Sequence, residues 1–403
     1  MPRSRWSGSA TPRSTRRPWR SWTAPARTST GSWPRSPDPP ARSPTGNDFA
    51  HTHPEVARLA SVSRPGTTWE ANKNVRRWNG ITEIPADLAA SVLTIGNFDG
   101  VHLGHRAVLA EVVAAARAEG VPAVAVTFDP HPATVHRPES APTLLTGLDD
   151  RLALMAQTGL DAVLVINYTE EFARQAPEEF VRRYFVDALH ARRVVIGEDI
   201  RFGWGNVGDR TTMSELGERL GFDVEVVHDV AEPGERRWSS TWVRELLAEG
   251  DCAGVARVLG RPHRMRGVVV HGEARGREMG FPTANLDTAA TGTIPADGVY
   301  AGWLVRHPGS AEETTLPAAI SIGTNPTFDG VQRRVEAHVL GRTDLDLYDE
   351  EVVVEFVRRL RPTLRYEGIA ALIDQMRQDV VAAADVLGVP HPAPLPASGS
   401  TTH

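Results

Sequence analysis

The stretch GNFDGVHLGH, from Gly96 to His105, decides the fold of the first half of this chain. It follows the apolar run SVLTI at Ser91–Ile95, which is typical of a buried strand, and it leads into an Ala-rich run at His105–Glu119 with apolar residues at helical spacing. A glycine-rich turn between a strand and a helix lets the backbone and the helix N-terminus approach a bound anion. The sequence therefore predicts a phosphate-binding loop at this position.

Strand and helix patterns alternate downstream of this loop. Helices are predicted at Leu148–Thr158 and Pro177–Leu189, and further strands at Ala123–Phe128, Ala162–Ile166, Arg193–Ile196 and Val224–Val227. This alternation predicts a Rossmann-like α/β domain with a parallel sheet and helices on both faces. Ligands bind at the carboxyl edge of such sheets, which is where the loop after Ile95 is expected to lie.

The pattern changes after Gly260-Arg261-Pro262, which ends a helix predicted over Thr241–Leu259. Short β runs separated by Gly, Pro and Asp loops predict an antiparallel barrel or sandwich, closed by an amphipathic helix at Ile369–Leu387. These runs are Arg266–His271, Gly298–Val305, Pro317–Ile322, Arg334–Leu340 and Glu351–Phe356. We therefore expect one domain at 75–249, a second at 250–389 and a disordered tail at 390–403.

The first 74 residues differ in kind, being crowded with Arg, Ser, Thr, Pro and Trp and almost free of aliphatic residues. They show neither strand nor helix periodicity and no apolar core of a secretory signal. Three interpretations stay open: a transit peptide, a disordered tail, or a start codon placed too far upstream. The excess of Trp and Arg favours the last.

Composition limits the class of protein. The chain has 403 residues, a formal net charge of −6 and a single cysteine, Cys252. This charge gives no basic field for nucleic acid, and one cysteine excludes an internal disulfide or a Cys-rich zinc site. The sequence has no run of about 18 apolar residues, so no membrane span is predicted. We expect a cytoplasmic protein with small-molecule substrates, and a homo-oligomer stays open.

The loop supplies the candidates for a first site. His102 and His105 lie three residues apart at the mouth of the predicted helix, where imidazoles can donate to phosphate oxygens as charge develops during nucleotidyl transfer. The alternative is a glycine-rich turn with surface histidines. The other loop residues predicted to contact ATP are Gly96, Asn97, Phe98, Gly100 and Gly104.

A second candidate segment of the same domain begins a predicted helix. It reads Ser239-Ser240-Thr241-Trp242-Val243-Arg244. Hydroxyls and helix N–H groups suit the β- and γ-phosphates of ATP, so Ser240, Thr241 and Arg244 are candidates for binding them. A plain helix N-cap is the alternative. The two interpretations are compatible because they use the same donors.

A second site is predicted in HGEARGREMGFPTAN, His271–Asn285, a basic glycine loop followed by a rigid proline. Thr283 and Asn285 offer oxygen ligands of the kind that Mg²⁺ prefers. The segment is not a Walker A sequence, and a basic hairpin loop is the alternative. Its candidates for binding ATP and metal are Gly272, Gly276, Gly280, Pro282, Thr283 and Asn285.

These motifs resemble those of prokaryotic bifunctional riboflavin kinase/FMN adenylyltransferases, also called FAD synthetases. TFDPHP at Thr127–Pro132 and GEDIRFG at Gly197–Gly203 resemble the first domain of that family, although Ile200 replaces the usual Phe. PTAN is the signature of riboflavin kinases, and its neighbours follow in the family's order: DGVYA at 297–301, SIGTNPTF at 321–328, VEAH at 335–338 and DLY at 346–348. Asp349 departs from the family, which commonly has Gly there.

The resemblance extends from about Val75 to Val386 and implies a six-stranded antiparallel barrel for the second half. It implies two ATP-dependent reactions, riboflavin to FMN and FMN to FAD, with Mg²⁺ as cofactor. In the first domain, His102, His105 and Asn97 are our candidates for contacts around the α-phosphate of ATP, because the FMN phosphate is already an anion and its attack requires positioning and charge neutralisation. A surface turn is the alternative for Asp199 and Arg201, which are among the residues implied to bind flavin or nucleotide. The full set is Asp129, Pro130, His131, Asp199, Arg201 and Phe202.

Alternation in VEAHV puts Val335, Ala337 and Val339 on one strand face and Glu336 and His338 on the other. The resemblance implies that Glu336 accepts the proton of the ribityl 5′-hydroxyl as riboflavin attacks the γ-phosphate of ATP. An isolated strand carboxylate facing solvent is the alternative. Two other functions remain open: an enzyme with one silent domain, and a nucleotide- or flavin-binding regulatory protein without turnover.

Overall fold

The structure, a computed structural model, describes residues 75–228, 236–272, 276, 279–327 and 330–392. The extension predicted for residues 1–74 lies outside them, as does the tail from residue 393 onward. Among the described residues, no helix has the length and apolar character needed to span a membrane.

Six parallel strands form one sheet in the first half of the described chain, in the order β1-β4-β3-β2-β5-β6. The strands are β1 (Arg76–Asn79), β2 (Ser91–Ile95), β3 (Ala123–Asp129), β4 (Ala162–Asn167), β5 (Ala191–Gly197) and β6 (Asp223–Val227). The helices that connect them are α1 (Leu103–Glu119), α2 (Pro132–His136), α3 (Leu148–Ala156), α4 (Glu170–Ala173), α5 (Pro177–Phe180) and α6 (Arg210–Leu220). A π-helical segment, Val181–Ala188, continues α5 within the range predicted as one helix.

Successive residues of the sheet strands pack against helices on opposite faces. On β2, Val92 joins a core with Leu109 and Val112 of α1. Its neighbour Leu93 joins a separate core with Phe180 at the end of α5. Because side chains alternate across a strand, both faces of the sheet are covered. The predicted α/β domain is confirmed.

The prediction of one helix over Thr241–Leu259 is wrong. Two helices, α7 (Ser240–Glu249) and α8 (Cys252–Leu259), occupy this range. Gly250 ends α7 in the left-handed region with φ 79, and the Asp251 side chain caps α8 by accepting the Gly254 N–H at 2.9 Å. The sequence signal for this break is Gly250-Asp251, because glycine commonly ends a helix and aspartate commonly caps the next one.

A closed barrel with strand order β10-β11-β8-β7-β12-β9 forms the second half, and its pairs are antiparallel. Its strands are β7 (His263–Val270), β8 (Ala284–Leu286), β9 (Gly298–Arg306), β10 (Thr314–Thr327), β11 (Gly330–Val339) and β12 (Glu351–Arg361). The pairing of β9 with β10 closes the ring, so the barrel expectation is confirmed over the sandwich. The final helix, α9 (Ile369–Leu387), has the predicted bounds and packs Ala383 and Ala384 against the barrel.

Candidate active sites

A cavity of about 820 Å³ opens at the carboxyl edge of the parallel sheet. Ile95, Phe128 and Gly197, at or near the ends of three strands, contribute to its wall. Three residues predicted for the first site, Gly100, Asp129 and Pro130, do not line it. The predicted residues that do line it are Gly96, Asn97, Phe98, Gly104, His102, His105, His131, Asp199, Arg201, Phe202, Ser240, Thr241 and Arg244.

The two histidines form a stacked pair at the start of α1. His102 caps the helix, because its Nδ1 accepts the backbone N–H of His105 at 3.3 Å, and the ring centroids lie 3.6 Å apart. Since Nδ1 accepts, a neutral His102 carries its proton on Nε2. A Cβ at Gly104 would lie 3.1 Å from His102 Nδ1, so glycine leaves room for the ring. Because His102 is the N-cap, the helix begins at Leu103, two residues before the predicted start.

Both imidazoles are neutral at pH 7. Burial is the largest cause that lowers the pKa of His102 well below its ordinary value, and it lowers the pKa of His105 to about 3. The positive charge of Arg237 acts in the same direction on both. The pair thus presents neutral N–H donors to the cavity, and an anion bound there would favour their protonation.

Asp99, which is not among the predicted site residues, anchors the loop through buried contacts. Only 2% of this residue is exposed. Its Oδ1 accepts the backbone N–H groups of Leu145 at 2.9 Å and Thr146 at 3.1 Å, and its Oδ2 pairs with the Arg244 guanidinium. Arg244 was predicted to bind phosphate, and its Nε also donates to the Thr143 carbonyl at 2.8 Å. Part of its hydrogen-bonding capacity therefore serves the fold.

Arg151 is a second buried residue outside the predicted site residues. It is 1% exposed and donates from Nη1 to the Asn97 carbonyl at 3.0 Å and from Nη2 to the Phe128 carbonyl at 2.8 Å. It thereby joins the first loop to the end of β3. The available signal was a lone arginine on the apolar face of the Leu148–Thr158 helix pattern.

Ser239 and Ser240, at the start of α7, make different contacts. Ser239 caps the helix by accepting the Trp242 N–H at 3.2 Å, and Ser240 Oγ donates to the Asp99 carbonyl at 2.8 Å. Thr241 is exposed on the cavity wall. The N-cap interpretation is correct for Ser239, which binds the Trp242 N–H, whereas Thr241 lies on the cavity wall.

Aromatic side chains form another part of the cavity wall. Phe128, Tyr168 and Phe172 line it, with ring centroids 5.4 Å apart for Phe128–Tyr168 and 5.1 Å apart for Tyr168–Phe172. At the rim, the exposed carboxylate of Asp199 pairs with Arg237, and Arg201 donates to the carbonyl of Ile200 at 2.9 Å. A wall of rings suits a flat aromatic ligand.

Strand register assembles the second site on the barrel. Glu336 of β11 lies opposite Asn285 of β8 on one side and opposite Ser321 of β10 on the other. Directly opposed residues share a face of the sheet, so these three side chains lie on one face. Their neighbours Val335, Ala337 and Val339 are buried in the barrel core, which confirms the predicted alternation.

The PTAN segment brings its two polar side chains together. Asn285 Nδ2 donates to Thr283 Oγ1 at 3.3 Å, and Asn285 is 8% exposed. The hydroxyl, the amide oxygen and the carboxylate of Glu336 are the hard oxygen donors that suit Mg²⁺. Gly272, Gly276, Gly280 and Pro282 flank them, while residues 273–275 and 277–278 of the loop lie outside the described residues.

His338 contacts the PTAN segment through a hydrogen bond to its backbone. It is 5% exposed, and its Nδ1 donates to the Pro282 carbonyl at 2.8 Å. Its Nε2 has no hydrogen-bond partner among the described residues. Burial lowers the pKa of His338, so the ring stays neutral. The sequence placed this residue on the correct strand face but gave it no role.

Asp349, where the sequence departs from the family pattern, occupies the left-handed region with φ 62. Glycine enters this region freely, and aspartate does so more readily than most residues. The Asp349 N–H donates to the Val269 carbonyl at 2.9 Å. The turn after Asp346-Leu347-Tyr348 is therefore formed without glycine.

The two sites lie in domains that match two families of enzymes of flavin nucleotide synthesis. Residues 84–242 match the FAD synthetase family, and residues 259–387 match the riboflavin kinase family. The bifunctional riboflavin kinase/FMN adenylyltransferase of Escherichia coli K12 is 35% identical over 321 residues, which cover 80% of this chain and all of that protein. The corresponding protein of Listeria monocytogenes is 36% identical over 72% of this chain and 90% of its own length. The chain belongs to the bifunctional riboflavin kinase/FMN adenylyltransferase family.

A solved structure shows the same fold. A crystal structure described as a macrolide-efflux protein from Streptococcus pneumoniae matches with a TM-score of 0.69 and 27% sequence identity. The match covers 77% of this chain and 99% of that one. Nearly all of that chain therefore has the same fold as the matched part of this one.

Proposed function

We propose that this chain converts riboflavin to FMN in its barrel domain and FMN to FAD in its α/β domain, each step consuming one ATP. The observation that carries the proposal is that each domain gathers its own motif residues. Glu336 faces Asn285 on the barrel, and the His102–His105 pair lines the cavity of the other domain. The domains extend over 75–249 and 250–389, and the compartment is the cytoplasm.

In the adenylyl transfer, the phosphate of FMN attacks the α-phosphate of ATP and pyrophosphate leaves. The attacking phosphate is already an anion, so the reaction needs positioning and charge neutralisation rather than a strong base. His102 supplies an Nε2–H donor to the α-phosphate, and His105 and Asn97 lie beside it. The N-terminus of α7, with Thr241, suits the β- and γ-phosphates.

The aromatic wall of the cavity supports a flavin site beside the histidines. Phe128, Tyr168 and Phe172 offer apolar ring surface to the isoalloxazine, in the same cavity as the histidines. Asp199, Arg201 and His131 supply polar groups at the rim. The cavity volume of about 820 Å³ lies in the upper part of the range typical of small-molecule sites, which supports a large ligand set.

In the kinase reaction, Glu336 accepts the proton of the ribityl 5′-hydroxyl while that oxygen bonds to the γ-phosphorus of ATP and ADP leaves. Thr283 and Asn285 are the residues that would hold Mg²⁺, which offsets phosphate charge when bound. The bond from His338 to the Pro282 carbonyl fixes the turn that presents them.

One assay tests the proposal: purified protein is incubated with riboflavin, ATP and Mg²⁺, and the flavins are separated by chromatography. We expect FMN first and FAD afterwards, and chelation of Mg²⁺ should stop both steps. FMN alone would indicate a silent transferase domain. Formation of neither product would contradict an enzymatic function and favour a binding protein.

A further inference from the structure

The start of the kinase barrel lies directly against the loop of the adenylyltransferase site. A Cβ at Gly100 would lie 3.4 Å from Leu259 Cδ2, and a Cβ at Gly260 would lie 2.7 Å from Leu103 Cδ2. The Leu259-Gly260-Arg261 turn that leads into β7 therefore packs against both ends of the GVHL segment. The sequence marked this turn only as the break after which short β runs begin.

Arg261 makes the polar contact in this interface. The residue is 5% exposed, and its Nη2 donates to the Gly100 carbonyl at 2.8 Å while Nη1 donates to the Pro262 carbonyl at 3.1 Å. Burial lowers the pKa of Arg261 to about 9, which leaves the guanidinium charged at neutral pH. A hydrogen bond from a charged donor is stronger than one between neutral groups.

The loop that receives this bond has an unfavourable backbone. Phe98 and Val101 have φ values of 49° and 40°, in a region that L residues avoid and β-branched residues avoid most. Such a conformation persists only when its surroundings impose it. Phe98 is 2% exposed and Val101 is fully buried, so packing and the bonds to Asp99 and Gly100 hold the loop.

Two more contacts from the barrel side reach the groups that hold this loop. Thr293 Oγ1 donates to the Leu144 carbonyl at 3.0 Å, directly before the N–H groups that bind Asp99. Arg266 Nη2 lies 2.8 Å from Asp150 Oδ1, next to the Arg151 that binds the Asn97 carbonyl. Each contact therefore ends within one residue of a group that supports the loop.

We propose that the barrel domain is a structural part of the adenylyltransferase site, in which Arg261 and Thr293 are positioning residues for the GNFDGVHLGH loop. This inference deepens the proposed adenylyl transfer and rests on it. FAD formation then depends on barrel residues that lie on a different part of the barrel from Glu336 and the PTAN segment. Misplacement of a reacting group by about 1 Å costs on the order of a hundredfold in rate.

The test compares Arg261→Met with Arg261→Lys in the full chain, measuring FAD formation from FMN and FMN formation from riboflavin in the same preparation. For Arg261→Met we expect kcat for FAD formation to fall by about tenfold or more, with the KM for FMN within about twofold of wild type and FMN formation within about twofold. Arg261→Lys keeps a charged donor and should recover part of the rate. Arg257→Met, at an exposed position of α8, is the matched control and should change neither activity.

Equal loss of both activities in Arg261→Met, or an unchanged rate of FAD formation, would overturn the inference. If Arg261→Met does not fold, Thr293→Val decides instead, because it removes one hydroxyl at constant shape and should slow FAD formation alone by about threefold. An unchanged rate there would count equally against the proposal. Absence of FAD from the wild-type protein would instead contradict the adenylyltransferase function itself, so the two failures are distinguishable.

Discussion

The two sites of this chain are built by different means. The adenylyltransferase site gathers residues at the ends of five strands, β2 to β6, and at the starts of α1, α2 and α7. Buried Asp99 and Arg151 join these segments across 46 and 54 residues of sequence. The kinase site lies on three neighbouring strands, where the register alone sets Glu336 between Asn285 and Ser321. The first therefore depends on long-range buried contacts, and the second depends on strand pairing.

The largest expected effect separates the two sites by chemistry. Glu336→Gln keeps the shape of the side chain and removes the proton acceptor, so riboflavin phosphorylation should fall by about a thousandfold. FAD formation from supplied FMN should stay within about twofold of wild type. Initial rates of both steps, measured on one preparation, check this. Loss of both steps would show that the sites are not separate.

The next effect probes the long-range contacts of the first site. Asp99→Asn leaves Arg244 partly buried without its partner charge, and breaking such a pair costs about 3 kcal/mol. We expect the free energy of unfolding of the α/β domain to fall by this amount and FAD formation to be lost first on heating. Urea unfolding and heating, each followed by the loss of FAD formation with kinase activity as the readout of the barrel, check it. Asp149→Asn, at an exposed position nearby, is the control.

His105→Ala removes one donor from the cavity without removing the cap on α1, because His102 provides that cap. Loss of one preorganised donor costs about a hundredfold in rate. FAD formation should fall by that factor while riboflavin phosphorylation is unchanged. A normal rate of FAD formation would remove His105 from the site.

A smaller effect tests positioning within the kinase site. His338→Leu removes the donor to the Pro282 carbonyl and leaves that carbonyl unpaired, at a cost of about 1 kcal/mol, so kcat for FMN formation should fall about fivefold. His338→Asn retains an N–H near the position of Nδ1 and should recover most of the rate. Equal rates in the two variants would contradict the positioning role.

The same contrast explains what the sequence could predict. Loop, strand and helix patterns found both motif sets, the parallel sheet, the barrel and the bounds of α9, because each is a local signal. Asp99 and Arg151 were missed because their partners lie far away in sequence. The three residues of β8 are too few to show alternation. The break at Gly250-Asp251 is short, and the helical spacing of apolar residues resumes directly after it. The assignments of single residues to ATP, flavin and Mg²⁺ stay predictions.

The smallest expected effect is the part of the pH dependence of stability that His105 contributes. The pKa of His105 is lowered to about 3 by burial, with Arg237 and Arg151 acting in the same direction, whereas an unfolded histidine titrates near 6.5. Between these values the unfolded chain binds more protons than the folded one, so stability falls as the pH drops below about 6.5. From pH 7 to 6, His105 should contribute a loss of less than about 1 kcal/mol.

His105→Gln should remove that part of the pH dependence, and urea unfolding of both proteins at pH 7 and pH 6 checks it. The kinase site also contains a buried neutral histidine, His338, so the Gln variant should retain the share of the pH dependence that His338 contributes. ATP should oppose the effect in the wild type, because an anion beside the His102–His105 pair raises both pKa values. An identical pH dependence in wild type and variant would show that His105 is not the buried neutral group, and the contrast between the two sites would then rest on their contacts alone.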